Sequence, residues 1–217
     1  MGYTSRDVKV LLVNPPSPPE FRVSRGLMGG FGMAVNPELL YPPIELAHVA
    51  AVLLADGHEV AILDADALGV GPDGALDHVV AEAPDMVVLD SSSTSLDQDL
   101  ALAGRVREAT GARTGMLGSQ VTFTPDEIFA GDRIDFVVRG EPERTVEEVA
   151  RRVADAGPGA GVAGITWRRE DGEIVHEPER DKIADLDALP LPARHLLDND
   201  AYGFPGIEGP IPTVKSS

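Results

Sequence analysis

The feature that most limits how this chain can fold is a set of five short apolar runs, each bounded by turn residues. Such unbroken runs are typical of strands buried on both faces of a parallel sheet. Helical patterns alternate with them, which predicts a doubly wound, Rossmann-like α/β domain with a five-stranded parallel sheet, for which we expect the strand order 2-1-3-4-5. The predicted strands are residues 8–13, 59–64, 85–90, 114–118 and 134–140, and the predicted helices are 44–55, 74–83, 96–110, 126–129 and 145–156.

The first crossover is unusually long. Residues 15–43 are rich in glycine, proline and methionine and carry no clear helical or strand pattern. Long insertions in compact domains are usually functional loops. We therefore expect residues 15–43 to form a lid.

The character of the chain changes after residue 157. Residues 158–182 predict a small β hairpin around the turn Asp171-Gly172. Residues 183–217 are rich in proline and glycine and are expected to form a linker to a further domain. The main α/β domain is then residues 1–157.

Composition excludes several classes of partner and chemistry. The formal net charge of −18 argues against nucleic acid and against anionic membranes. No apolar run has the length of a membrane span or the layout of a secretory signal, so we expect a cytoplasmic protein. The sequence has no cysteine, which excludes disulfides, cysteine nucleophiles and cysteine-held iron–sulfur clusters from this chain.

Small or polar residues follow every predicted strand. In an open parallel sheet, ligands bind beyond the carboxyl ends of the strands. Each of these turns, taken alone, is an ordinary turn or helix cap. Together they predict a broad, mostly neutral hydrogen-bonding floor formed by Asn14, Pro15 and Pro16, by Ser91, Ser92, Ser93, Thr94 and Ser95, by Gly118, Ser119, Gln120, Val121 and Thr122, and by Gly140 and Glu141.

This floor lacks the usual phosphate-binding motifs. Neither a G-x-x-x-x-G-K-[ST] nor a G-x-G-x-x-G sequence is present, so nucleotide hydrolysis and ordinary NAD binding are disfavoured. Asp64, Asp66 and Asp90 could build a receiver-like phospho-acceptor site, but Asn14 stands where that fold needs an acid. The five histidines are scattered along the chain and do not suggest a metal site.

Several segments, in the correct order, resemble the N-terminal cobalamin-binding domain of cobalamin-dependent radical S-adenosylmethionine enzymes. They are "LLVNPP", "PPIELAHVAAVLLADGHEVAILDAD", "GSQVTFTPDEIF" and "DFVVRGEPERTVEEV", and "LDALPLPARHLLDNDAY" is similar to the segment that leads to the radical barrel. Two positions depart from the family pattern. Leu117 replaces the first glycine of the turn after the fourth strand, and Gln120 replaces the usual histidine.

The resemblance implies that the nucleotide tail of cobalamin enters beside the third and fourth strands. Ser91 to Ser95 and Gly118 to Thr122 would line its slot, and Leu96 would pack beneath it. No histidine follows the first strand, where corrinoid carriers of another type place their lower cobalt ligand. The resemblance therefore implies a cobalamin whose base and whose protein histidine are both off the cobalt, described below as base-off and His-off.

Full-length members of this family also hold S-adenosylmethionine and a four-iron four-sulfur cluster on a Cys-x-x-x-Cys-x-x-Cys motif, which this sequence lacks. The resemblance implies a methyltransferase whose radical catalytic domain acts in cis or in trans, and this chain alone should be inactive. A noncatalytic carrier or sensor of a corrinoid or another small molecule is the alternative on the same fold.

Overall fold

The computed structural model describes residues 7–131, 133–153, 159–204 and 206. Its main sheet has seven strands in the order β4-β1-β5-β6-β7-β8-β9, and β2 and β3 form a separate two-stranded sheet. The strands are β1 Lys9–Asn14, β2 Arg22–Ser24, β3 Met33–Val35, β4 Glu59–Asp64, β5 Met86–Asp90, β6 Arg113–Leu117, β7 Phe136–Val138, β8 Ile165–Arg168 and β9 Ile174–His176. The helices are α1 Ile44–Ala55, α2 Ala65–Leu68, α3 Pro72–Glu82, α4 Leu96–Thr110, α5 Ser119–Phe123, α6 Pro125–Ile128 and α7 Pro142–Arg151.

The parallel part of the sheet confirms the predicted topology. Strands β4, β1, β5, β6 and β7 pair in parallel in that spatial order, which is the predicted 2-1-3-4-5. All five residues of β5 are buried, as expected of a central strand covered on both faces. The fifth parallel strand is shorter than predicted and spans only Phe136–Val138.

The main sheet has seven strands, two more than the five that were predicted. The hairpin of β8 and β9 exists, but it continues the main sheet, because β8 pairs antiparallel with β7 and β9 with β8. An uncovered β7 would present a row of unpaired backbone groups. The hairpin satisfies these groups, and β8 contributes the buried side chains of Ile165 and Trp167.

Helices cover the sheet on both faces. Helices α1 and α7 pack with one hydrophobic cluster, around Leu46, Phe136 and Val149. Helices α3 and α4 pack with the other, around Val79, Leu89 and Val106. The predicted helix 145–156 is wrong at both ends, since α7 begins at Pro142 and ends at Arg151, where Arg152 is its C-cap; residues 154–158 lie outside the described part of the chain.

The described parts of the two segments outside the alternating pattern are both folded. Residues 15–43 contain the β2–β3 sheet and a 3₁₀ turn at Met28–Gly30. The described part of the predicted linker packs on α1, where the Ala193 amide donates to the Ala47 carbonyl over 2.9 Å. Leu197 and Tyr202 are buried there. Residues 205 and 207–217 of the predicted linker lie outside the described residues.

Candidate functional site

A cavity of ≈ 230 Å³ lies at the carboxyl ends of the central strands. Strand β1 is flanked by β4 and β5, so the strand order reverses at β1. Such a reversal opens a crevice in doubly wound sheets. Asn14 and Asp90, the last residues of β1 and β5, line the cavity, and residues 22–27 and 39–45 border it. The lid predicted for residues 15–43 therefore lies beside the predicted floor.

A buried hydrogen-bond network holds the floor in place at Asn14. The Nδ2 group of Asn14 donates to Oδ1 of Asp64 over 2.8 Å, and Oδ1 of Asn14 accepts from Nη1 of Arg25 over 3.0 Å. Tyr202 donates its hydroxyl hydrogen to Oδ2 of Asp64 over 2.9 Å. The C-terminal segment, the floor and the lid are thus joined by one set of polar contacts.

The prolines after β1 contribute their carbonyl groups. The Pro15 carbonyl accepts from Nη1 of Arg25 over 2.8 Å, and the Pro16 carbonyl accepts from Nε2 of Gln98 over 2.7 Å. The predicted turn at Asn14, Pro15 and Pro16 therefore anchors the lid and α4 to the sheet.

A buried ion pair joins Arg25 of the lid to Asp99 of α4. Arg25 donates from Nη2 to Oδ1 of Asp99 over 2.8 Å, and the two side chains are 1% and 0% exposed. A buried charge is costly unless it is paired and hydrogen-bonded. Asp99 meets this requirement with three further donors on its second oxygen: Nε of Arg25 at 3.5 Å, Oγ of Ser91 at 2.9 Å and Oγ of Ser95 at 2.7 Å.

The hydroxyl groups of residues 91–95, called the serine bed below, form a connected chain. Oγ of Ser92 lies 2.9 Å from Oγ of Ser95 and 3.1 Å from Oγ1 of Thr94. Ser91, Ser92 and Ser95 are buried, whereas Ser93 and Thr94 are exposed. The serine bed therefore has a buried inner part and an exposed rim.

The serine bed does not act as a simple helix cap. Ser95 stands at the N-cap position of α4, but its side chain makes no capping hydrogen bond to the helix backbone. Its hydroxyl donates to Asp99 instead. The ordinary explanation for serine before a helix, a hydroxyl that accepts from the first turn, does not describe this site.

The turn after β6 lies directly against the serine bed. Gly118 has φ 123° and ψ 163°, and a Cβ built on it would lie 2.1 Å from the carbonyl oxygen of Ser91. Backbone with this φ is essentially restricted to glycine. The glycine is required because two loops of the chain approach each other there.

The lid inserts a glycine-rich stretch, residues 29–32, between the two loops. Its carbonyls accept hydrogen bonds from both sides, since Ser93 donates from N and Oγ to Phe31 over 3.0 and 2.8 Å, and Ser119 donates from Oγ to Gly29. A Cβ on Gly32 would lie 2.4 Å from Cβ of Ser92. Phe31 also stacks on Phe123, with ring centroids 5.6 Å apart. We call residues 29–32 the latch.

The remaining predicted residues lie around this centre in different ways. Gln120 donates to Thr124, and Val121 is buried in the core, so its side chain does not face a ligand site. Thr122 accepts from the Gly140 amide over 3.2 Å. Glu141 accepts from the Ile183 amide over 2.8 Å, and Leu96 packs partly buried against the core.

Burial perturbs two carboxyl groups at the strand ends. Burial raises the pKa of Asp90 to about 8, and the nearby Glu45 carboxylate adds to the rise. Burial also raises the pKa of Asp64, against the opposing effect of its hydrogen bond from Asn14. Since its pKa is about 8, Asp90, which lines the cavity, is mostly protonated near neutral pH.

The sequence analysis missed Arg25 and Asp99. Asp99 carries a usable signal, because it lies on the same helical stripe as the apolar residues Leu96, Leu100 and Ala103. An acid on a buried stripe needs a cationic or hydrogen-bonding partner. Arg25 carries no such signal, since nothing in the pattern of residues 15–43 shows that this side chain turns inward.

None of the described residues that line the cavity is a histidine. His58 is at the opposite end of β4, where it accepts from the Val8 amide, and His176 pairs with Asp126. Within the described ranges, no group of three or more His, Cys, Asp or Glu residues could hold a metal ion. No helix among the described residues is long and apolar enough to cross a membrane.

One family model and several more distant relatives match this chain. A family model described as "B12 binding domain" matches residues 32–150, more than half of the chain. An uncharacterized methyltransferase of Pyrococcus horikoshii is 28% identical over 213 residues, which cover 97% of this chain and 43% of the relative. The chain thus spans less than half the length of that curated relative.

Two solved structures share the fold. The radical S-adenosylmethionine methyltransferase TsrM from Kitasatospora setae, with cobalamin and a [4Fe-4S] cluster bound, aligns with a TM-score of 0.60 and 20% identity over 80% of this chain and 31% of that chain. The cobalamin-dependent S-adenosylmethionine radical enzyme OxsB, with aqua-cobalamin bound, aligns with a TM-score of 0.64 and 15% identity over 87% of this chain and 24% of that chain.

Proposed function

The chain belongs to the B12-binding domain family, and we propose that it holds cobalamin base-off and His-off as the N-terminal module of a cobalamin-dependent radical S-adenosylmethionine methyltransferase. The observation that carries the proposal is the meeting of the serine bed with the Gly118 turn at adjacent strand ends. Bound cobalamin supplies a cobalt atom that can carry a methyl group.

The donors at the exposed rim of the serine bed and on the neighbouring Ser119, called the rim donors below, suit the nucleotide tail of this cofactor. The hydrogen-bond donors there are the Ser93 amide and the hydroxyls of Ser93 and Ser119, and in this structure they bind the carbonyl oxygens of the latch. Phosphodiester oxygens accept hydrogen bonds as carbonyl oxygens do. A tail could therefore take over these donors once the latch moves.

The cavity residues suit a cobalt without a strong lower ligand. The described lining includes Asn14, Arg25, Tyr41, Glu45 and Asp90, and none of these side chains is an imidazole or a thiol. A base drawn toward the serine bed would also leave the metal. Both considerations support the base-off, His-off state.

Other parts of the enzyme would hold the remaining cofactors. The methyltransferase of Pyrococcus horikoshii is more than twice as long as this chain. We propose that S-adenosylmethionine and a four-iron four-sulfur cluster bind to a radical catalytic domain, in cis or in trans. The C-terminal segment is suited to relay the position of that catalytic domain to the strand ends, because Tyr202 of this segment donates to Asp64, the last residue of β4.

Electron paramagnetic resonance of the chain loaded with cob(II)alamin tests the binding mode. Cobalt lines without nitrogen splitting are expected, because neither a benzimidazole nor a histidine coordinates the metal. Nitrogen-split lines would contradict the base-off, His-off state. The Asp97→Asn variant is a suitable control for the reconstitution, since Asp97 is an exposed acid of α4 outside the proposed floor.

A further inference from the structure

The hydroxyl groups of the serine bed donate their hydrogens in one fixed direction. A serine hydroxyl can donate one hydrogen and accept at its lone pairs, whereas a carboxylate only accepts. Asp99 is buried against the guanidinium of Arg25, which is charged at all ordinary pH values. Asp99 therefore sets the direction in which the hydroxyl groups of the serine bed donate.

The hydrogen directions follow from that carboxylate. Ser95 uses its single hydrogen on Oδ2 of Asp99 and so can only accept from Ser92. Ser92 then uses its hydrogen on Ser95 and can only accept from Thr94. Ser91 likewise uses its hydrogen on Asp99. The buried hydroxyls thus have no hydrogen left for a ligand.

We propose that Asp99, held by Arg25, is a positioning residue that makes the inner serine bed a hydrogen-bond acceptor. The inference rests on the proposed function and adds a division of the tail slot into two parts. The inner hydroxyls receive a donor group, and the rim donors at Ser93 and Ser119 receive an acceptor group.

This division matches the chemistry of a nucleotide tail. The ribose hydroxyls of such a tail can donate, whereas its phosphodiester and an unprotonated base nitrogen only accept. The inner bed therefore faces the ribose and the rim faces the phosphodiester. The latch carbonyls of Gly29 and Phe31 already occupy the rim donors as acceptors, in agreement with this assignment.

The Asp99→Asn variant tests the proposal, because it preserves shape and reverses polarity. The new amide must turn its oxygen toward Arg25 and its NH₂ group toward Ser91 and Ser95, which then point their hydrogens toward the slot. Cobalamin affinity is expected to fall about tenfold or more. The affinity for cobinamide, which lacks the nucleotide tail, should stay within about twofold. Asp97→Asn is the matched control, since Asp97 is an exposed acid in the same helical turn.

A second substitution separates polarity from simple structural damage. In the Asp99→Asn/Arg25→Met double variant, the amide oxygen no longer has to face a guanidinium and can turn back to the serines. Because Arg25→Met also removes the hydrogen bonds to Asn14 and Pro15, the quantity compared is the ratio of cobalamin affinity to cobinamide affinity. We expect this ratio to recover from its Asp99→Asn value, whereas a merely structural role for Asp99 would leave it as low as in Asp99→Asn.

The outcomes are distinguishable by titrating both corrinoids into folded protein, checked by circular dichroism. A wild-type chain that binds neither corrinoid refutes the proposed function. A wild-type chain that prefers cobalamin, with an Asp99→Asn variant that binds it equally well or loses both corrinoids equally, overturns the inference alone. Should Asp99→Asn fail to fold, Ser95→Ala breaks the same chain at its centre, and an unchanged preference for cobalamin in that variant also overturns the inference.

Discussion

Replacing Gly118 by alanine should destabilise the chain strongly. The residue has φ 123°, and the added Cβ would lie 2.1 Å from the Ser91 carbonyl oxygen, where no flexible side chain can give way. Backbone strain of this kind costs about 1–3 kcal/mol, and forcing an extra group into packed structure costs about 1–3 kcal/mol. We expect the free energy of unfolding to fall by about 2–6 kcal/mol, a large share of the roughly 5–15 kcal/mol that stabilises a typical domain.

Urea denaturation followed by circular dichroism measures this loss. Gly69→Ala is the matched control, because Gly69 has φ 65° and no atom within 4 Å of a built Cβ. That control should lose only about 1–2 kcal/mol, the cost of a left-handed conformation in a residue with a side chain. Equal losses in the two variants would refute the argument that the two loops meet at Gly118.

Three further variants test the latch, the cavity and the C-terminal segment. Phe31→Ala removes a ring stack worth about 0.5–1.5 kcal/mol, which helps to hold the latch closed. Stopped-flow absorbance should therefore show cobalamin associating about two- to tenfold faster. An unchanged rate would contradict a latch that must open. The folded chain keeps the Asp90 proton up to about pH 8, whereas the unfolded chain releases it near its ordinary pKa of 3.8. Stability from this group is therefore lost as pH rises between these values, and urea melts of Asp90→Asn should show a shallower decline than wild type. Tyr202→Phe removes the donor to Oδ2 of Asp64, while Oδ1 keeps its hydrogen bond from Asn14, and it should cost about 1–3 kcal/mol in thermal unfolding; a loss within error would show that the contact is dispensable.

The parallel core was predictable from the sequence because its signal is local. Runs such as residues 85–90 are apolar throughout and end at turn residues, and their alternation with helices restricts the topology. The strand order 2-1-3-4-5 is one of several that doubly wound sheets adopt, so the alternation alone does not select it. The attachment of β8 to β7 was not predictable, since a hairpin pattern carries no information about which sheet edge it covers.

The candidate site was only partly predictable, for a different reason. The loops at residues 91–95 and 118–122 could be found because they follow predicted strands, and the structure brings them together at Gly118. The Arg25–Asp99 pair depends on a contact between side chains far apart in sequence. Neither residue lies in a local sequence pattern that identifies its partner. Similarly, the pKa of Asp90 is raised by burial, which appears only after the chain has folded.

Reconstitution with hydroxocobalamin tests the central claim most directly. The purified chain is incubated with excess cofactor, separated from unbound cofactor by gel filtration and examined by absorbance spectroscopy together with cobalt analysis. We expect coloured protein with cobalt in a fixed ratio to the chain, and reduced retention of cobinamide under the same conditions. Protein that elutes colourless and free of cobalt, while remaining folded by circular dichroism, would contradict the assignment of the serine bed and the Gly118 turn to cobalamin.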